Sequence, residues 1–329
     1  MAIGWRVMRR RVLTPDISST KLSTRGFHVK NRAARDLLET TGEMFLTGYA
    51  YAAEARRPAD AERRLEDLPA RFRGFAYEGA GMAFAIRDGL PLGGGGLLRR
   101  FLAGAGAGHV YMVYVGAGWA LARLPRFRWT TVSASVPDPM LRWLVLDGYG
   151  FHQAYFHTGK YVHGQFRNPR FPWPADGPAW YANRVIDQGI GRAMWFVGGS
   201  DADVVADLID RFPSSRHADL YSGAGLAATY AGGVDEAELL TFKRRARDHL
   251  PQLAQAGAFA ATARVRAGLV TPHTELATRV LCGTTPELAA ELTEQARVES
   301  RSTGVELPSF EIWRQRVASR LAGSSRATS

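Results

Sequence analysis

The sequence predicts a mainly α protein made of two homologous helical halves packed about a pseudo-two-fold axis, and three observations carry that expectation. Apolar residues recur three and four positions apart along most of the chain, as in Leu37, Leu38, Met44 and Phe45, in Val204, Val205, Leu208 and Ile209, and in Leu276, Val280 and Leu281. That spacing gathers them on one face of a helix. The stretch RLEDLPARFRGFAYEGAGMAFAIRDGL at 64–90 aligns without gaps on LIDRFPSSRHADLYSGAGLAATYAGGV at 208–234, which is the mark of an internal repeat. A length of 329 residues with 46% hydrophobic and 22% charged side chains suits a folded chain with a large core. It excludes collagen-like repeats, wholesale disorder and a multi-span membrane protein.

Residues 1–27 read as a basic N-terminal arm, with arginines at 9–11 and an amphipathic anchor over Trp5 to Leu13 as the alternative. The arm lacks the apolar stretch and small-residue cleavage site of a secretory signal, so it is expected to belong to the mature chain. The first helical repeat spans 28–165. Within it Pro69, Tyr77, Gly79, Ala80, Gly81, Ala83 and Gly89 recur as Pro213, Tyr221, Gly223, Ala224, Gly225, Ala227 and Gly233. Further along, His109 falls on His249, Trp119 on Phe259, and VPDPMLRWLVLDG at 136–148 on TPHTELATRVLCG at 271–283. Residues 101–122 are apolar enough to resemble a transmembrane span, but their counterpart at 242–263 carries Lys243, Arg244, Arg245, Arg247, Asp248 and His249. Equivalent elements should occupy equivalent environments, so 101–122 is expected to be a buried central helix whose glycines permit close packing, with no transmembrane segment. Glycines 93–96 mark a break. Pro137, Pro139, Pro272 and Pro286 precede apolar runs and suit first helical turns. A Pro-rich connector at 166–179 leads to the second repeat at 180–310, and 311–329 is expected to hold a helix end and a disordered tail that turns polar at Ser324. A ligand is expected in the groove between the halves.

The net charge of +11 arises from 38 arginines and only four lysines, Lys21, Lys30, Lys160 and Lys243, against 31 acidic residues. The basic residues are spread out rather than gathered in a stripe with interleaved aromatics, so no nucleic-acid partner is expected. A positive surface would attract an acidic protein, such as an acyl carrier protein, or an anionic membrane face as a peripheral contact. The one cysteine, Cys282, rules out an intrachain disulfide and thiolate metal clusters, which fits a cytoplasmic protein. It lies on an apolar helix face and is expected to be a buried, inert thiol.

Signature motifs of common chemistries are absent: no G-x-x-x-x-G-K-[ST], H-E-x-x-H or G-x-S-x-G occurs. In VYMVYVGAGWALA, Gly116 and Gly118 suit a dinucleotide fingerprint but Leu121 stands where the third glycine is needed. The segment DGYGFHQAYFHTGKYVHG at 147–164 gathers Asp147, His152, His157 and His163 among aromatic residues. Such groups serve as general acids and bases or as metal ligands, and structural histidines bonded to the backbone are the alternative. Their five-residue spacing sets His152 and His157 about 140° apart on a helix, so the two cannot share one helical face. Glu78 stands where the second repeat has Ser222, and could be a buried carboxylate with a raised pKa or the partner of an arginine. Asp187 and Arg192, with Gln188 between them, are close to helical reach and are expected to pair within one helix. His109 and His249, present in both halves, are expected to serve the shared architecture. Where the halves differ is where function is expected.

Six stretches, GFHVKNRAARDLLETTGEMFLTGY, GFAYEGAGMA, HVYMVYVGAGWALARLP, DGYGFHQAYFH, DQGIGRAMWFVGG and PHTELATRVLCG, occur in order between about Arg10 and Arg316. Together they resemble the UnbL family, a domain of unknown function encoded beside the enediyne polyketide synthase. The resemblance implies a role in converting the synthase's linear polyene product toward the enediyne core, alongside its acyl carrier protein and other enediyne accessory proteins. It brings no catalytic residues with it, so the site assignments come from the residues themselves. Tyr77, Tyr111, Tyr114, Trp119, Phe151 and Tyr155 are expected to wall a flat conjugated polyene or polyketide, with Arg192 beside them. His152 and His157, with Glu78 or Asp147, are expected to move protons or hold a metal. A non-catalytic polyene carrier or scaffold, and a His-ligated metal- or haem-dependent oxidase, are the alternatives, and no cofactor is specified.

Overall fold

The computed structural model describes residues 14–90, 95–173, 177–298 and 307–327, together with residues 4, 6, 10 and 11. It is mainly helical, with no strand among the described residues. Helix ends follow local chemistry. Asn31 accepts a hydrogen bond from the Ala34 N–H and starts α1 (Arg32–Glu54). Then come α2 (Pro58–Glu66), α3 (Ala70–Gly89), α4 (Leu97–Ala103), α5 (Val110–Arg123), α6 (Trp129–Ser135) and α7 (Leu144–Phe156). After a π turn at Gly159–His163 follow α8 (Ala182–Val197), α9 (Ala202–Asp210), α10 (Ser214–Tyr230), α11 (Glu236–Arg245) and α12 (Leu250–Arg266). The last are α13 (Pro272–Cys282), α14 (Pro286–Gln295) and α15 (Ser309–Ala327). Thr271 and Thr285 cap α13 and α14, each with a proline in the first turn, and Gly283 ends α13 at φ +70°.

The main packing runs helix to helix along a row, α1–α3–α5–α7–α8–α10–α12, with the other helices on its outside. The row has a sequence signature. Five consecutive members carry the pattern X-Gly-X-Gly-X, at Glu78–Met82, Val115–Trp119, Asp147–Phe151, Gln188–Arg192 and Ser222–Leu226. The first glycine of each faces the helix before it: a Cβ on Gly79, Gly116, Gly148, Gly189 or Gly223 would lie between 1.8 and 2.0 Å from a carbonyl oxygen of that helix. The second faces the helix after it, as Gly118 does against the Val145 oxygen at 2.0 Å. Only glycine allows backbones this close, and the approach brings Cα–H groups onto facing carbonyls. The outer X residues, four apart, share one face of each helix.

Several expectations change here. Residues 101–122 do not form one helix, because the chain breaks through Gly104, a 3₁₀ turn at Ala105–Ala107 and Gly108 before α5 begins. The counterpart breaks similarly, at the 3₁₀ turn Arg247–His249 between α11 and α12. No described helix is long and apolar enough to cross a membrane. Pro272 and Pro286 start helices, but Pro137 and Pro139 do not. They sit in an irregular segment whose Asp138 carboxylate accepts the N–H groups of Met140 and Leu141. The expected tail is helical as far as Ala327, as part of α15, which also crosses the expected boundary at 310. The anchor alternative at Trp5 to Leu13, the glycines at 93–94 and residues 174–176 of the connector lie largely or wholly outside the described residues.

Candidate functional site

The row of helices curls around a cleft that encloses about 840 Å³ including its mouth. Its walls come from α1, α3, α5, α7, α8 and α10, and it is aromatic and apolar over most of its surface: Phe45, Phe75, Trp119, Phe151, Tyr155 and Tyr230 all line it. Phe45 packs on Trp119 with ring centroids 4.4 Å apart, and Phe151 and Tyr155 lie nearly parallel at 13°. Arg123 and residues of the 3₁₀ turn Ile17–Thr20 also line the cleft. A second chamber of about 460 Å³ adjoins it, sharing Met112, Arg192, Leu226 and Tyr230 and reaching Tyr111, Asp147 and Trp313.

Charge is concentrated at one place in this apolar setting. Glu78, Trp119 and Arg192 come from three helices of the row, and a fourth, α7, supplies Asp147. The Trp119 indole N–H donates to Glu78 Oε1 at 3.0 Å, and Arg192 Nη2 lies 3.7 Å from the same oxygen. Both contacts fall on Oε1, leaving Oε2 without a hydrogen bond among the described residues. Arg192 Nε is 3.0 Å from Asp147 Oδ1, yet misaligned, so neither atom makes a hydrogen bond. Burial pushes the Glu78 carboxyl up to about 7; Arg192 pulls it down, the Asp147 charge pushes it up, and the Trp119 hydrogen bond lowers it. Burial also raises Asp147, against the pull of Arg192 and Arg314. His152, in the cleft and edge-on to Trp119 at 5.5 Å, is pushed down to about 3, first by burial and then by the positive charge of Arg123. It is therefore a neutral imidazole at pH 7, and its Nδ1 has no partner. The Tyr230 hydroxyl is also buried without one.

The structure thus brings Glu78, Trp119, Phe151, His152, Tyr155 and Arg192 together in the cleft, with Tyr111 and Asp147 in the second chamber. It leaves three expected site residues outside. His157 caps the end of α7 and is exposed, because the helix turns it away from the face that carries His152. Tyr77 is buried against His109, with rings 3.7 Å apart and its hydroxyl donating to Glu66. Tyr114 spends its oxygen accepting the Asp138 N–H at 2.9 Å. The expected Asp187–Arg192 pair is not formed: Asp187 binds Arg216 through two contacts, at 2.6 and 3.0 Å, while Arg192 turns inward to Asp147. Among the described residues, no three His, Cys, Asp or Glu side chains converge as metal ligands would.

Residues 4–321 match the pattern of a protein family described as protein of unknown function (DUF1702). The chain belongs to that family. No curated protein and no solved structure matches it.

Sequence reasoning missed Phe45, Phe75, Arg123 and Tyr230 in this member of the family. A signal for the site's framework was present, since the five X-Gly-X-Gly-X stretches name most of the inward positions: Glu78, Met82, Trp119, Phe151, Arg192 and Leu226 all line the cleft. Tyr230 is signalled only by its distance, four residues beyond Leu226 on the same helical face.

Proposed function

We propose that this protein binds a linear, conjugated and largely apolar chain in the cleft and rearranges it by proton transfer at Glu78. What supports the reading is a buried carboxyl among the aromatic residues of the cleft, pushed up to about 7 by its burial. A group with a pKa close to the working pH both gives and takes protons efficiently. Moving a double bond needs only that: a proton leaves one carbon and another arrives elsewhere, with no net oxidation. Desaturation would need an oxidant and is not part of the proposal. His152 is a poor base at a pKa of about 3, and serves instead as a hydrogen-bonding wall. In the setting that the UnbL resemblance implies, the ligand is the linear polyene of an enediyne polyketide synthase, delivered free or on its acidic carrier protein.

The same reading takes the chain as two homologous halves with the cleft at their seam. Support comes from matched side-chain sets. Tyr77 donates to Glu66 at 2.5 Å and stacks on His109, which precedes α5; Tyr221 donates to Asp210 at 3.3 Å and stacks on His249, which precedes α12. The 136–148 to 271–283 match lends no such support, because Gly148 lies inside α7 whereas Gly283 ends α13.

A second reading, a carrier that holds the polyene without altering it, is favoured by the hydrogen bond and ion pair that occupy Glu78 Oε1. The deciding experiment adds the synthase's linear polyene to purified protein and follows its absorption bands and product masses. Binding with turnover that disappears in Glu78→Gln, while binding persists, supports rearrangement. Binding without turnover by the wild type supports the carrier, and absence of binding overturns both.

A further inference from the structure

Another part of the surface of α7 lines a different cavity, of about 700 Å³ including its mouth. Where the cleft takes Phe151, His152 and Tyr155 from this helix, the second cavity takes Tyr149 and Gln153. Arg126, Lys160 and Arg167 bring three cations to it from three separate segments: the turn before α6, the π turn and the connector. No carboxylate lies within salt-bridge distance of any of the three among the described residues. Lys160 Nζ instead sits 4.0 Å from the centre of the Phe166 ring. The one carboxylate of the lining, Asp187, is held through both oxygens by Arg216. Neutral donors are also present. Gln153 Nε2 donates to the hydroxyl oxygens of Tyr149, at 2.9 Å, and Tyr161, at 3.3 Å. At most one of these two phenol O–H groups can then be used on the other, so at least one remains to donate to a ligand.

The stretch that supplies most of the lining is basic in sequence. Between residues 124 and 171 stand Arg126, Arg128, Arg142, Lys160, Arg167 and Arg170, against only Asp138 and Asp147. Both of these are paired, Asp138 with Arg297 and Asp147 with Arg192. Three cations lining one cavity exceed what a single carboxylate would need, and match a multiply charged anion with several acceptor oxygens.

We propose that this cavity binds a phosphate ester. The phosphate oxygens take Arg126, Lys160, Arg167 and a tyrosine O–H, and the organic part lies against Phe166 and Phe171. The site is independent of the polyene reading, since it uses no residue of the cleft.

The test is titration calorimetry of the full chain with pyrophosphate and, separately, with coenzyme A, for the wild type and for Arg126→Gln, Arg167→Gln and the double variant. Arg126 and Arg167 are exposed, so the variants should melt as the wild type does. Saturable binding that weakens about ten- to a hundredfold for each lost cation is expected, as for charge-assisted hydrogen bonds. Coenzyme A binding tighter than pyrophosphate supports an ester whose organic part lies in the cavity; coenzyme A binding no tighter than pyrophosphate overturns the ester and leaves an inorganic phosphate as the ligand. No saturable binding of either probe to the wild type, or equal affinity in the double variant, overturns it.

Discussion

Replacing Glu78 with glutamine should stabilise the protein in alkaline solution and leave it unchanged in acid. The carboxyl is pushed from its ordinary 4.5 up to about 7 by burial, so the folded state holds its proton more tightly than the unfolded chain does. For a raised folded pKa, the contribution to stability is complete below about pH 4.5 and is lost as pH rises to about 7. With 1.36 kcal/mol for each pKa unit, ionisation costs the wild type about 3 kcal/mol of folding free energy at pH 8. Glutamine has nearly the same shape and no charge to bury, and Arg192 keeps Asp147 as its partner, 3.0 Å away. Urea unfolding followed by circular dichroism, run at half-unit steps from pH 4.5 to 8, gives the difference directly. The variant should match the wild type at the acid end and gain on it by about 3 kcal/mol between pH 4.5 and pH 8. A variant that loses ground as pH rises would show Glu78 to be an ordinary ion-paired carboxylate and would remove the basis for proton transfer.

Gly118→Ala puts a methyl group 2.0 Å from the Val145 oxygen and should cost about 3 kcal/mol or more in thermal unfolding, whereas Gly159→Ala, with nothing within 4 Å, should be neutral or slightly stabilising. Cys282 is buried and pushed up to about 12, so Ellman's reagent should find no reactive thiol in the native protein at pH 8 and one after denaturation. Arg192→Met leaves two buried carboxylates without their cation and should lose about 3–5 kcal/mol at pH 8. The triple variant with Glu78→Gln and Asp147→Asn should recover most of that loss; a triple variant as unstable as the single one would make the cluster a structural tie.

What could be read from the sequence follows the range of the forces involved. Helical periodicity and capping residues act within a few positions, so α1, α9 and α13 were legible from Leu37–Phe45, Val204–Ile209 and Leu276–Leu281. The separation of His152 from His157 was legible too, because it depends only on helical pitch. The partner of Arg192 was not. Local spacing offered Asp187, but the side chain projects from the inward face of α8, where the nearest anions come from α3 and α7, 114 and 45 residues earlier. Likewise, the break through Gly104–Gly108 is invisible to hydropathy, which registers an apolar run whether or not its backbone continues as helix.

The location of the cleft follows from the glycine pattern together with the C-terminal helix. Once the glycines clamp neighbouring backbones, the space inside the row is shared by outer residues of the X-Gly-X-Gly-X stretches, by neighbours on the same helix faces such as Phe75, Tyr155 and Tyr230, and by whatever covers them. Toward the chain's end that cover is α15. Its Trp313 lies over Phe259 at 4.4 Å, and its Arg314 donates to Ser222 at 3.1 Å and to Asp219 at 3.1 Å, closing the interior around α10 and α12. On the α3–α5–α7 side, Glu78, Trp119 and Phe151 face a space that no such helix enters. A buried arginine met by carboxylates occurs at both places, at Arg192 and at Arg314. At Arg314 hydrogen bonds use all three guanidinium nitrogens, whereas at Arg192 the Nε is left without one. A saturated cluster suits a structural role and an unsaturated one suits a site that a ligand completes, which favours the proposed chemistry at Glu78 and Arg192 over one beneath α15.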